Sequence, residues 1–209
     1  MNQNQENRST DLTILLDRSG SMSSIREQTI AGVNNTIQDQ KLGKDGCFVT
    51  LIQFDSQNPC EFVYDGLPIE EITPLTNATF CPRASTPLYD AINLAIARTE
   101  KRMTEALKLF VIVTDGLENA SRETTAEMVA NIIGAKEEKG WRFLFVGANQ
   151  DAILEAGKIG IHSERALTYG VSDKEILAAY DATSRVLYDL ACDPSASFSE
   201  EQRKAAKSE

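Results

Sequence analysis

One histidine, one tryptophan and four widely separated cysteines are all this 209-residue chain offers of the side chains that most often build metal or redox centres. A lone His162 excludes any histidine metal cluster and leaves a serine nucleophile a single imidazole to use as base. Cys47, Cys60, Cys81 and Cys192 form no Cys-x-x-Cys pair, so neither a zinc knuckle nor a dithiol redox motif is present. The chain lacks G-x-G-x-x-G and G-x-x-x-x-G-K-[ST], which removes dinucleotide and P-loop chemistry, and it lacks the G-x-S-x-G elbow of serine hydrolases. No apolar window reaches about 18 residues, so no membrane span is expected. The N-terminal MNQNQENRSTD is polar and has no apolar leader, so the thiols are expected to be reduced and the protein cytoplasmic. Positive charge is also scarce: 21 Lys and Arg stand against 31 Asp and Glu, a net charge of −10. That balance argues against nucleic acid or anionic membranes as partners. No block of like charge is long enough to act as a tail, so the acidity belongs to a solvated surface.

What is present is a globular composition, 42% hydrophobic and 25% charged, in a length that suits one domain. Residues 12–17, 47–54, 60–64, 108–114, 141–147 and 166–169 have the short apolar or β-branched character of strands, the second and third joined by a hairpin at Gln57-Asn58-Pro59. Between them lie helical stripes. One opens at a capping box, Ser24-x-x-Glu27, and ends near Gly43. A second runs from Pro87 to about Thr104 with Thr86 as cap. A third is opened by Thr124-x-x-Glu127 and closed by Gly140. A short one spans Asp151 to Gly157, and a long one is opened by Ser172-x-x-Glu175. Strands alternate with helices, and several strands are apolar throughout, which implies burial on both faces. The expected fold is α/β: a doubly wound, Rossmann-like, mainly parallel central sheet with one antiparallel edge strand and helices on both faces. Residues 1–10 are expected to be a disordered N-terminal segment and 11–192 a single domain. Residues 193–209 are expected to be a polar tail that adds a helical turn or two or stays disordered. The irregular stretch 65–85 is a long connection of the kind that often serves function.

In such folds ligands bind at the carboxyl ends of the strands. Three fragments fall there: Asp17-x-Ser19-x-Ser21 after the first strand, Ser85-Thr86-Pro87 before a helix, and Thr114-Asp115-Gly116 after LFVIVT. Each has an ordinary explanation alone. Asp17 could cap a helix, Ser19 and Ser21 could fill turn positions, Thr86 could be a cap, and Asp115-Gly116 is a common turn. Asp17 and Asp115 with the hydroxyls of Ser19, Ser21 and Thr86 would make an all-oxygen set of two carboxylates and three hydroxyls, which suits Mg²⁺ or Mn²⁺ better than zinc. Asp55 reads as a turn residue, Glu118 and Asn119 as surface loop that could border the site, His162 as exposed or a cap, and Trp141 as core.

The fragments DRSGSMSS, ASTPLYDAI and VIVTDGLEN resemble, in order, the three parts of the metal-ion-dependent adhesion site of the von Willebrand factor type A (vWA) domain. One departure is Ala84-Ser85, where the family commonly has Gly-Gly or Gly-Ser before the threonine. The resemblance implies a metal site made by Asp17, Ser19, Ser21, Thr86 and Asp115. Ser19 and Ser21 would bind the ion directly, Thr86 directly or through water by state, and Asp17 and Asp115 mostly through water. It further implies an open coordination position filled by an Asp or Glu carboxylate of a partner protein. Some intracellular relatives work beside AAA-type ATPases or in stress-response operons, so a cytoplasmic, bacterial or phage-like binding module is expected rather than an enzyme. An aspartyl-phosphate mechanism would want a second Asp where Ser19 stands. Two alternatives remain open from the residues: a Mg²⁺-dependent phosphoester hydrolase, for which no base accompanies the ligands, and a metal-independent scaffold with a vestigial site, binding through the 65–85 connection.

Overall fold

The computed structural model describes residues 9–43, 46–102, 105–148 and 152–207. Its centre is β1 (Thr10–Asp17), buried at all eight positions because the strand has a neighbour on each edge and helices on each face. β1 pairs in parallel with β2 (Cys47–Asp55) and with β4 (Leu107–Thr114). β5 (Arg142–Ala148) and β6 (Ala166–Tyr169) continue the parallel sheet beyond β4. β3 (Asn58–Pro68) runs antiparallel to β2 at the far edge, with register shifts along the pair. The order β3-β2-β1-β4-β5-β6 is the doubly wound, mainly parallel arrangement expected, antiparallel edge included. The chain builds outward from β1 to β3, then returns to β4 on the other side. The topological switch point therefore lies between β1 and β4, where a crevice opens at the strands' carboxyl ends.

Side-chain alternation along β1 feeds two cores. Leu12, Ile14 and Leu16 join Val33 and Ile37 of α1 (Arg26–Gly43) and Ile176, Val186 and Leu187 of α5 (Asp173–Leu190). Leu15 faces the other way, with Ile92 of α2 (Leu88–Glu100), Ile133 of α3 (Ala126–Glu138) and Ala156 of α4 (Ala152–Lys158). Each fully buried Leu, Ile or Val contributes about 1.5–3 kcal/mol by leaving water. α1 and α5 approach closely because position 32 is glycine: a Cβ there would lie 2.1 Å from a ring carbon of Tyr180.

Local signals were overridden at several points. Gly20–Ile25 is a 3-10 turn, and α1 starts only at Arg26. The Ser24 hydroxyl donates to the Ser21 carbonyl instead of capping, because the chain must first fold back over the end of β1. Thr86 does not cap α2, whose N-cap is Pro87 and which ends at Glu100; the expected end at Thr104 lies outside the described residues. The cap of α3 is Thr125, one residue later than expected, accepting from the Met128 N–H. The Ser172–Glu175 capping box is present as expected. Asp151, expected to open the short helix, lies outside the described residues, as do residues 1–8 of the N-terminal segment. Beyond residue 192 the chain forms α6 (Glu200–Ala206), and Phe198 and Ala206 are buried in the α1–α5 core. Two apolar anchors thus tie this polar segment down, aided by the Gly170 N–H donating to the Ala206 carbonyl at 2.9 Å. Among the described residues no helix is long and apolar enough to cross a membrane.

Candidate metal centre

Asp17 ends β1 and Asp115 follows β4, so the two carboxylates flank the switch point. The 3-10 turn after Asp17 swings the two serine hydroxyls together, with Ser19 Oγ and Ser21 Oγ 3.1 Å apart. Ser21 Oγ donates to Asp115 Oδ1 at 2.7 Å, across 94 residues of sequence. The Ser19 N–H donates to Asp17 Oδ1 at 2.6 Å. Thr86 joins them from the long connection. A Cβ added to Gly116 would lie 3.1 Å from Thr86 Oγ1, 3.7 Å from Ser21 Oγ and 3.9 Å from Asp17 Oδ2. Three of the five oxygen-bearing side chains thus face one point small enough to be filled by a methyl carbon, and glycine keeps that point open.

The loop that carries Thr86 is stitched residue by residue to the ends of three strands. The Arg83 N–H donates to the Arg18 carbonyl and the Ala84 carbonyl accepts from the Gly20 N–H, both after β1. The Ser85 carbonyl accepts from the Ser56 N–H after β2, at 2.9 Å. Thr86 itself is bracketed by Asn119, whose Oδ1 accepts from the Thr86 N–H at 2.9 Å and whose own N–H donates to the Thr86 carbonyl at 3.1 Å. Arg18 reinforces the same stitching. Its buried guanidinium pairs with Asp55 and Glu61 and turns away from the hydroxyl cluster, and Arg83 shares Asp55. Asp55 is the turn residue expected, its Oδ1 accepting from the Gln57 and Asn58 N–H groups, and it is also fully buried, with its Oδ2 holding Arg18 and Arg83. Burial works to raise the Asp55 carboxyl, but the Gln57 and Asn58 N–H groups and Arg18 outweigh it and hold it below the ordinary value.

Among the described residues no such cation faces the candidate site. Burial pushes the Asp17 carboxyl up to about 6, against the lowering effect of the Thr114 hydroxyl and the Ser19 N–H, and Asp115 adds to the rise. Burial likewise raises Asp115, opposed by the Ser21 hydroxyl. Thr114 Oγ1 donates to Asp17 Oδ2 at 2.6 Å and accepts from the Gly116 N–H at 3.1 Å, fixing both the carboxylate and the turn. Asn119, which sequence reading placed in a loop that could border the site, does border it, and Thr114 is a support that motif reading missed. The order of residues in VIVTDGLEN contains both, but only the contacts give them roles.

The donor chemistry suits a hard divalent cation: carboxylate and hydroxyl oxygens, two anionic groups with no counter-ion among the described residues, and a small cradle. Among the described residues no three His, Cys, Asp or Glu side chains gather into a metal cluster, as expected where hydroxyls supply most donors. His162 is exposed and precedes the amino end of β6, at the opposite end of the sheet from Ser19 and Ser21. It is no base for either serine.

A family model described as von Willebrand factor type A domain matches residues 11–205. No curated protein matches the chain by sequence. Among solved structures, proximal thread matrix protein 1 from the mussel byssus aligns with a TM-score of 0.63 at 16% identity, over 88% of this chain and 46% of that one. Another structure of that protein, with TM-score 0.59 and 16% identity over 88% of this chain and 45% of that one, has a zinc-occupied MIDAS motif. The manganese-loaded TRAP protein of Plasmodium vivax aligns with a TM-score of 0.54 at 15% identity, over 83% of this chain and 72% of that one. At such identities the likeness is one of fold, and this chain spans less than half the length of the mussel protein.

Proposed function

This chain belongs to the von Willebrand factor type A domain family, and on that premise we propose that it is a divalent-metal-dependent protein-binding module. The residues that would hold Mg²⁺ or Mn²⁺ are Asp17, Ser19, Ser21, Thr86 and Asp115. The observation that carries the reading is the convergence of Thr86 Oγ1, Ser21 Oγ and Asp17 Oδ2 within 4 Å of the position a Cβ would take at Gly116. When bound, the ion supplies positive charge with a coordination position left for a carboxylate oxygen of a partner protein. Ser19 and Ser21 are neutral donors, so they leave that charge little quenched. Asp17 and Asp115 hold the serines through the Ser19 N–H and the Ser21 hydroxyl. The ion also answers an electrostatic problem: an acidic partner approaching a chain of net charge −10 meets repulsion unless a cation stands between them. Hydrolysis by a serine nucleophile is disfavoured because His162 lies at the other end of the sheet. Two of the four cysteines, Cys81 and Cys192, are exposed, which fits the reducing, cytoplasmic setting we propose.

Calorimetric titration of Mg²⁺ or Mn²⁺ into chelator-treated protein tests the site. Saturable binding is expected, weakened by more than about tenfold in Ser21→Ala with the urea unfolding midpoint unchanged. Absence of binding by the wild type at about millimolar metal, where Mg²⁺ sites of this open kind are expected to fill, would remove the reading. Hydrolysis of an aryl phosphate that is lost in Asp17→Ala would replace it with the hydrolase.

A further inference from the structure

The sheet has two outer edges, and the chain protects them in different ways. A strand edge offers a row of N–H and C=O groups to any other strand, so stable folds blunt it. β3 blunts its own edge. It carries Pro59 and Pro68 near its ends, and its pairing with β2 shifts register. Its Glu61 and Asp65 are held in ion pairs by Arg18, Arg83, Arg98 and Arg102. β6 has none of these devices. Its four residues, Ala-Leu-Thr-Tyr, include no charge and no proline, and no strand lies beyond it among the described residues.

What covers β6 is the segment that follows α5. The Phe198 N–H donates to the Glu164 carbonyl at 3.0 Å, and the Gly170 N–H donates to the Ala206 carbonyl at 2.9 Å. Between them Arg203 donates from Nη1 to the Ala166 carbonyl at 2.6 Å and from Nη2 to the Ser163 carbonyl at 2.9 Å. Glu164, Ala166 and Gly170 are all even-numbered positions, whose backbone groups point away from β5. The cover therefore runs the length of the edge, yet no strand ladder holds it. Its helix α6 has seven residues, too few to be stable alone. Phe198 and Ala206 are its buried apolar anchors, and the Arg203 guanidinium lies 5.9 Å from the Phe198 ring centroid, so these holds depend on one another. An open cleft of about 410 Å³, lined by Asp181, Arg185, Glu201 and Gln202 among others, lets water between α6 and α5.

We propose that the segment 193–207 is a releasable strap, and that the edge beneath it is a self-association surface whose occupant, once the strap lifts, is β6 of a second copy of this chain. A two-fold axis across the edge sets Ala-Leu-Thr-Tyr antiparallel to itself, with no charge opposed to a charge along the pair. The outward groups of Glu164, Ala166 and Gly170 that the strap now occupies are those such a ladder would use. The same operation at β3 would bring the Glu61 and Asp65 carboxylates of two copies together. The inference is independent of the metal-dependent binding proposed above, since the metal centre lies at the β1–β4 switch point.

Native-state hydrogen exchange of the full chain reads the strap. The Gly170 N–H and the α6 amides are expected to exchange through one shared opening, at least about tenfold faster than the β1 amides. Exchange of both at the β1 rate would make the segment a fixed part of the fold and overturn the proposal. Sedimentation over a range of concentrations then reads the edge. Phe198→Ser removes an anchor and is expected to form a dimer with an apparent dissociation constant at least about tenfold below that of the wild type, because apparent affinity follows the fraction of open chains. In that dimer the Thr168 N–H, at another even-numbered position of β6, should gain protection as concentration rises, and the β3 amides should not. Association without protection at Thr168 would overturn the edge pairing. So would a Phe198→Ser protein that stays monomeric while its Gly170 N–H exchanges freely. Arg203→Ala leaves both apolar anchors in place and is expected to move both readouts in the same direction. It carries the test should Phe198→Ser fail to fold.

Discussion

Two carboxylates stand at opposite ends of β1, both buried, and the protein treats them differently. Asp11, 1% exposed, is met by the Lys108 ammonium at 2.5 Å and by the Arg102 guanidinium at 2.9 Å. Asp17, 0% exposed, is met by the Thr114 and Ser19 hydroxyls and the Ser19 N–H and by no cation among the described residues, with Asp115 as its charged neighbour. A buried anion is costly unless paired. At the amino end of the strand the fold supplies the cation. At the carboxyl end it supplies oxygens and a cradle, and the cation has to come from outside. The contrast is sharper because a cation is close by: Arg18 follows Asp17 directly, yet its guanidinium is committed to Asp55 and Glu61.

The most severe way to break the comparison is to make the same change at both ends. Asp11→Asn leaves the nearly buried Lys108 facing a neutral amide, while Arg102 keeps Asp65, and should cost about 3 kcal/mol in urea unfolding. Asp17→Asn, measured in chelator, should leave stability within about 1 kcal/mol of wild type or raise it, since an unpaired buried anion is removed. The new amide can still accept from the Ser19 N–H, and Thr114 can donate instead to the Gly116 carbonyl, 3.1 Å away. In Mg²⁺ the order of effects reverses in kind: wild type gains stability by mass action and Asp17→Asn does not. Equal losses at both ends in chelator would mean that Asp17 is simply structural.

A finer cut separates ligands from their supports. Asn119→Ala removes the acceptor for the Thr86 N–H and should weaken metal binding about tenfold, the usual cost of losing an outer support. Asn119→Asp keeps the acceptor and should retain the affinity. Thermal unfolding of both variants in chelator checks that Thr86, and not the fold, is what moved. If alanine and aspartate behave alike, the bracket around Thr86 has no part in binding.

The sheet was legible because its strands are long apolar runs that need two covered faces, and such runs leave little choice of layer. LFVIVT and the stretch from Leu12 to Leu16 are of that kind. The three ligand fragments were legible as separate pieces because each ends a strand or opens a helix. What joins them was not, since it depends on contacts between distant residues: Asn119 to Thr86 across 33 positions, Arg18 to Asp55 across 37. Local capping rules failed at Ser24 and Thr86 for a related reason. The first turn of α2 is satisfied by Glu118 and Ser121 from another loop, so Thr86 was left free to face the cradle. Phe198 anchors a segment whose composition is otherwise that of a tail, and a single aromatic gives little periodic signal.

The smallest effect concerns backbone strain, which the two ends of β1 also share unequally. Ala84, at φ 59°, is the only non-glycine residue at positive φ among the described residues, and it lies in the loop that carries Thr86. Glycine would adopt that conformation without the clash that costs an L-residue about 1–2 kcal/mol, but it would also lose more freedom on folding, by about 0.4–1 kcal/mol. Ala84→Gly should therefore raise stability by less than about 1 kcal/mol, read as a small upward shift of the urea midpoint. Metal affinity should stay within about twofold, because Arg83, Ala84, Ser85 and Thr86 each remain tied to a strand end by backbone hydrogen bonds that no side chain supplies. A fall in affinity with stability unchanged would mean that the alanine methyl, and not the stitched backbone, limits the loop's freedom, and that the strain at this end of the sheet is spent on holding Thr86 in place.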